Sequence, residues 1–350
     1  MIKGDMTLKH AAQLPEEWVP QANPKQVVLC WGIVLLIVIV FNFLALAMLK
    51  IKKVHKTPAL INHKWKLLND STGNLDVLIL GDSSGNHAVD PAILKTRLGI
   101  ESLNLCTTGG SVLLDDRLML EDYLAKHTPP RVVVLVHVYD VWTRRIADNV
   151  LCLFPQSVSE LEKRIKPYKL TGKAQASIYV QRYLPIYSQH RSLQSIVFNP
   201  TQYFLQPWKW QSNGYDPQTQ RDPTVWKDDV RYHYRQSKKK ALFSVLPENI
   251  AQLDIISALA QKHDMKLLLV MSPISKELYD QPVFQKAYHQ VTDQLAVYAQ
   301  THPQVQIVFE KPITISQLHM QNADHALSDA ASFYTEHLAR ELKACFDQNP

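Results

Sequence analysis

Four short runs are apolar at nearly every position: "LDVLIL" (75–80), "RVVVLVHV" (131–138), "MKLLLVM" (265–271) and "VQIVF" (305–309). A half-exposed strand alternates apolar and polar residues, whereas a strand covered on both faces does not. Segments with helical spacing separate and follow these runs. They are "DPAILKTRLG" (90–99), with Pro at its start and Gly at its end, "SVLLDDRLMLEDYLAKH" (111–127), "LPENIAQLDIISALAQKHD" (246–264), "PVFQKAYHQVTDQLAVYAQTH" (282–302) and "SDAASFYTEHLARELKACF" (328–346). A further short strand is expected at "SLNL" (102–105). This alternation predicts a three-layer α/β/α sandwich, flavodoxin-like, around a mostly parallel sheet. Ligands of such sheets collect at the carboxyl ends of the strands.

The sheet is preceded by "VVLCWGIVLLIVIVFNFLALAML" (27–49), which carries no charge and a single amide, Asn42. As a helix it would be about 34 Å long, enough for a hydrocarbon core of about 30 Å. It is too long for the apolar core of a signal peptide, and no small-residue cleavage site follows, so it reads as a transmembrane anchor. The expected organisation is a tail (1–26), the anchor (27–49), a linker with an amphipathic stretch (50–73) and one domain (74–346). Residues 150–245 form an insertion rich in aromatic and basic residues. Its Trp208, Trp210, Tyr215, Trp226, Tyr232 and Tyr234 read as a private core rather than a sugar platform.

Lys50, Lys52, Lys53 and Lys56 follow the anchor and Lys3, Lys9 and Lys25 precede it, a one-residue bias toward a cytoplasmic domain. The net charge of +6 is a mild excess, and no nucleic-acid-binding signature accompanies it. The four cysteines have no metal-ligand spacing and do not form an even disulfide set outside the anchor.

The first strand runs directly into "GDSSGNHAVDP" (81–91). Gly, Asp and Ser here suit a turn and a helix cap, or a nucleophilic serine held at a strand end. Three later blocks favour the second reading. "NLCTTGGS" (104–111) offers glycines that allow close backbone approach, "VVVLVHVYD" (132–140) ends a strand in polar residues, and "NADHALSDAASFYTEHLARELK" (322–343) sets a histidine just before the last helix.

In this order the blocks resemble the SGNH (GDSL-like) hydrolase superfamily. The resemblance is to its membrane-anchored branch, the AlgX/AlgJ-like and D-alanyl-transfer proteins, over roughly residues 75–145 and 245–345. The letters S-G-N-H at 84–87 are coincidental, since the family's four residues come from four blocks. The resemblance implies Ser83 as nucleophile, with Ser84 the alternative, and His325 as base. The third member lies between Asn322, three residues before the histidine, and Asp324, whose side chain adjacency sets apart from that of His325. Gly109, Asn104, Tyr139 and Asp82 are the implied oxyanion and substrate-binding positions, with Tyr139 standing where the family has asparagine. If Asn322 alone orients His325, the acidic limb of activity should lie near the ordinary histidine value of about 6.5.

The resemblance further implies a serine O-acyltransferase, with acetyl the expected group, acting on a cell-envelope polysaccharide or related polymer. The partners would be that polymer and a membrane-bound O-acyltransferase. No cofactor, metal or nucleic acid is expected. The setting would be the bacterial inner membrane with the large domain outside the cytoplasm. A carbohydrate esterase and a non-catalytic polymer-binding scaffold are the alternatives.

Overall fold

The computed structural model describes residues 23–51, 56–165, 168, 172–188, 190–198, 200–201, 210–221, 223–239, 243–309 and 311–347. The tail up to residue 22 and Trp208 lie outside them. The chain divides into two units, residues 1–52 and 53–350.

In the first unit, α1 (Pro24–Ile51) contains the expected anchor. An 18-residue stretch within Pro24–Met48 reaches a mean hydropathy of 2.9, and this is the one helix among the described residues long and apolar enough to cross a membrane.

The second unit is built on β1 (Val77–Gly81), β2 (Ser102–Asn104), β3 (Val132–His137), β4 (Lys266–Met271) and β6 (Val305–Val308). They form a wholly parallel sheet in the order β2-β1-β3-β4-β6. A second, two-stranded sheet pairs β5 (Ile274–Ser275) with β7 (Thr314–Ile315), both too short to carry a sequence period. The pleat explains why the strand sequences are apolar throughout. Leu78, Leu80, Val133, Leu135, Leu267 and Leu269 enter one core, and Val77, Ile79, Val132, Val134, Leu268 and Val270 enter another.

The first core is covered by α2 (Lys56–Asp70), α5 (Val112–Leu124), α8 (Pro247–Lys262) and α9 (Pro282–Gln300). The second is covered by α4 (Pro91–Leu98) and α10 (Ser328–Asp347). Local chemistry sets α4: the Asp90 carboxylate accepts the Ala92 N–H, Pro91 opens the helix and Gly99 closes it at φ 70°.

Two expectations change. The stretch read as a linker contains α2, which buries Ile61, Trp65 and Leu68 in the first core. Lys64 of the same helix is fully buried, and its ammonium donates to the carbonyls of Asn104 (2.8 Å) and Gly214. Nor do the aromatic residues of the insertion form a private core. Trp210 stacks on His63 of α2 at 4.8 Å, Tyr215 is buried in the second core, and Tyr234 packs on the first. These three fasten the insertion to the sheet domain, whereas Tyr232 is exposed and Trp226 lies under Arg221 of the insertion itself.

Strand order reverses direction between β1 and β3, the topological switch point at whose carboxyl ends sheets of this kind bind their ligands. The "GDSS" turn leaves β1 at that point.

Candidate active site

At the end of β1, Gly81 has φ 145°, and a Cβ there would collide with the Val136 carbonyl oxygen of β3. Glycine is what lets the chain pass. The next residue, Asp82, fixes the direction of the turn. Its N–H donates to Val136 O (3.1 Å), and its buried carboxylate accepts the Ser84 N–H (2.7 Å), the Ser84 hydroxyl and the Val138 N–H (2.8 Å). Ser84 is therefore buried and turned back onto Asp82, whereas Ser83, first residue of α3 (Ser83–Ala88), is only half-buried.

Under this turn lies His137, with Nε2 2.8 Å from Asp116 Oδ2 and Nδ1 3.5 Å from Asp82 Oδ2. Burial disfavours its charge, but Asp116 and Asp82 outweigh burial and push its pKa up to about 10. It is an imidazolium at neutral pH and keeps the Asp82 carboxyl below its usual range despite burial.

The structure brings His325 to Ser83, with Nε2 2.8 Å from Ser83 Oγ. The opposite nitrogen, Nδ1, is 2.7 Å from Asn322 Oδ1. That amide oxygen also accepts the backbone N–H groups of His325 (2.8 Å) and Asp324 (3.2 Å), which fixes its direction. An Nδ1–H donated to Asn322 leaves Nε2 as the acceptor for the serine hydroxyl.

Asp324 is present as well. Its Oδ1 stands 2.8 Å from Nδ1, as an ion pair and not an aligned hydrogen bond. Adjacency does not keep the two side chains apart, because a Met320–Ala326 bridge and the Gln321 N–H to His325 O bond fold residues 320–326 into a tight loop. Burial disfavours a charged His325, but Asp324, with further help from Asp82 and Asp229, outweighs it and holds the pKa above the ordinary value. The Asp324 carboxyl is held well below its usual range, burial notwithstanding, chiefly by His325 and then His233. His87 packs against His325 with ring centroids 5.1 Å apart, and its Nδ1 lies 2.9 Å from Asp216 O.

The other expected positions have mixed fates. Gly109 is buried beside the turn: a Cβ there would lie 3.9 Å from Asp82 Cβ and 2.9 Å from Arg144 Nη1. Arg144 is itself tied to Asp140 through Nε (3.1 Å) and Nη2. Asn104 is fully buried, and its side chain is spent on the scaffold. Nδ2 donates to Gly85 O (3.1 Å) and Val89 O (2.8 Å), and Oδ1 accepts the Cys106 N–H (3.0 Å). It clamps α3 from below. Tyr139 is fully buried among Phe243, Phe284 and Tyr288, with its hydroxyl 3.4 Å from His233 Nδ1. A packed aromatic ring thus stands where an oxyanion donor was expected.

Sequence reading missed Asp229, His233, Arg144 and the Asp116–His137 pair. The one available signal was the spacing of Asp229 and His233, which puts both on one helix face.

No protein-family model matches the chain, and no curated protein matches it in sequence. Among solved structures, one from Streptococcus pneumonia, described as "a putative platelet activating factor", matches at a TM-score of 0.40 and 12% identity. The match covers 86% of this chain and 99% of that one. The chemistry of the site is accordingly argued from its geometry.

A general base must be neutral to take a proton, so activity should rise as His325 loses its own. Because Asp324 raises that pKa, the acidic limb of kcat/KM for an aryl acetate should lie above the ordinary value of about 6.5. Asp324→Asn should move the limb down toward that value and lower kcat. An acidic limb unchanged in Asp324→Asn would leave Asn322 as the sole partner.

Proposed function

We propose that this protein is a membrane-anchored SGNH-like serine acyltransferase that places an O-acyl group, acetyl in the first instance, on a cell-envelope polysaccharide or related polymer. The observation that carries the reading is the line Ser83 Oγ, His325 Nε2, His325 Nδ1 and Asn322 Oδ1, with hydrogen-bond distances of 2.8 and 2.7 Å, at the carboxyl end of β1.

The chemistry follows from that line. Ser83 Oγ attacks the donor's acyl carbonyl while its proton passes to His325 Nε2. Asp324, beside Nδ1, stabilises the imidazolium that results. The developing oxyanion is held by the N–H groups of Ser83, at the free start of α3, and Gly109, beside Asp82. His325 returns the proton to the leaving group, and acyl-Ser83 remains. A polymer hydroxyl then attacks this ester, its proton passing to His325 and on to Ser83. Water in place of the hydroxyl makes the same site an esterase. Product analysis with and without acceptor polymer separates the two.

The reading places the α/β domain outside the cytoplasm of a bacterial cell, where such polymers lie, beside a membrane-bound O-acyltransferase that would supply the acyl group. The apolar helix Pro24–Met48 supports attachment to the membrane.

Two experiments test this. Ser83→Ala should abolish aryl acetate turnover in a folded protein, a loss of about 10³-fold or more. Ser84→Ala should retain most of the turnover, at a cost of about 1.5–3 kcal/mol in stability from the lost bond to the Asp82 carboxylate. Equal loss at both serines, or none at Ser83, removes the nucleophile from the mechanism. For topology, a reporter active only in the periplasm and fused after Pro350 should give signal, and a cytoplasmic reporter should not. The reverse pattern would move the domain to the cytoplasm.

A further inference from the structure

Asp324 has weak local reasons to serve His325. It is next to it in the chain, its Oδ1 approaches Nδ1 off the hydrogen-bonding line, and Asn322 already occupies that line. It is also only 6% exposed, and a buried carboxylate needs compensating partners. Beyond His325 itself and Arg144, the partner comes from the insertion.

Helix α7 (Pro223–Lys239) presents Asp229 and His233 on one face. His233 is buried, and its Nε2 lies 3.8 Å from Asp324 Oδ2 and 3.7 Å from Asp229 Oδ1. Its other nitrogen, Nδ1, faces the Tyr139 hydroxyl at 3.4 Å. Asp229 in turn accepts the Ala323 N–H on Oδ2 at 3.0 Å, so the same helix grips the backbone of the loop that carries Asp324. One face of α7 thus contacts both the carboxylate and the peptide that positions it.

We infer that His233 and Asp229 are positioning residues that hold Asp324 against His325, so that the catalytic group is complete only when the insertion helix is docked. The inference rests on the acyl-transfer reading of the site and adds to it the role of the insertion. Without His233, Asp324 Oδ2 loses its buried counter-group and the carboxylate is free to turn from Nδ1. The two acids facing each other across the vacated imidazole repel, which drives the same movement.

The test uses full-length protein in detergent. His233→Ala should lower kcat for an aryl acetate about tenfold with KM changed less than about twofold, the size expected for a partner within one side-chain network. His233→Gln, which keeps an N–H donor near the position of Nε2, should recover most of that loss. Asp229→Ala removes the acceptor for the Ala323 N–H, loosens the loop that carries Asp324 and should lower kcat in the same direction. It also carries the comparison should His233→Ala fail to fold. A second readout does not need turnover. In the Ser83→Ala protein, the NMR pH titration of the His325 ring C–H resonance reports its pairing with the Asp324 carboxylate, and its midpoint should fall when His233→Ala is added.

Parental kcat with an unmoved His325 titration midpoint in His233→Ala would overturn the inference. So would failure of His233→Gln to recover kcat. Inactivation of the parent by EDTA with recovery on adding zinc or manganese would also overturn it, since the three side chains would then be ligands. An inactive parent would refute the acyl-transfer reading alone, and the NMR comparison would still decide the role of His233.

Discussion

The Asp82 carboxylate ties together three things that have no covalent reason to meet. It caps α3 through Ser84, holds the chain leaving β3 through the Val138 N–H, and pairs across 3.5 Å with the buried His137 imidazolium. Remove it and the serine turn keeps only backbone bonding to the neighbouring strand, while His137 and Asp116 become an isolated buried pair. Breaking such a set by removing one member typically costs about 3–5 kcal/mol. The position of Ser83 is therefore set by the buried charges of Asp82, His137 and Asp116. Gly81 contributes the complementary constraint, since no side chain fits between its Cα and Val136.

Above this floor the site has the electrostatics of a proton relay. A charged His137 lies beneath the turn, a histidine raised by Asp324 lies above it, and Ser83 stands between. The two histidines differ in what faces them. His137 is enclosed by carboxylates on both nitrogens and stays protonated, whereas His325 has a hydroxyl on one nitrogen and an amide with a carboxylate on the other. Only the second has a hydroxyl within proton-transfer reach, which is the property a general base requires.

The sheet was legible because fully covered strands leave uninterrupted apolar runs, and each expected strand lies within about two residues of its observed ends. The caps of α4 were legible for the same local reason. Ser83, His325 and Asn322 were placed by the order of short blocks around strand ends, and the structure sets them in line. What failed depends on tertiary packing. Nothing in "LINHKWKLLND" distinguishes a linker helix from the α2 that fills one core, and no spacing rule reveals that Tyr139 turns inward or that Asn104 serves as a clamp. The argument that adjacent side chains diverge holds for extended and helical chain but not for a loop as tight as 320–326, where Asp324 and His325 converge. His233 meets Asp324, 91 positions further along the chain, a contact that only the folded insertion creates.

The central claim is that Ser83 forms a covalent acyl intermediate with His325 as its base. Brief incubation of the full-length protein with an aryl acetate, acid quenching and peptide mass spectrometry would read it directly. The account predicts an acetyl group on the peptide carrying Ser83, located on Ser83 by fragmentation and strongly reduced in His325→Ala. An acetyl group on another residue, or turnover with no adduct on Ser83 under any quench, would contradict it.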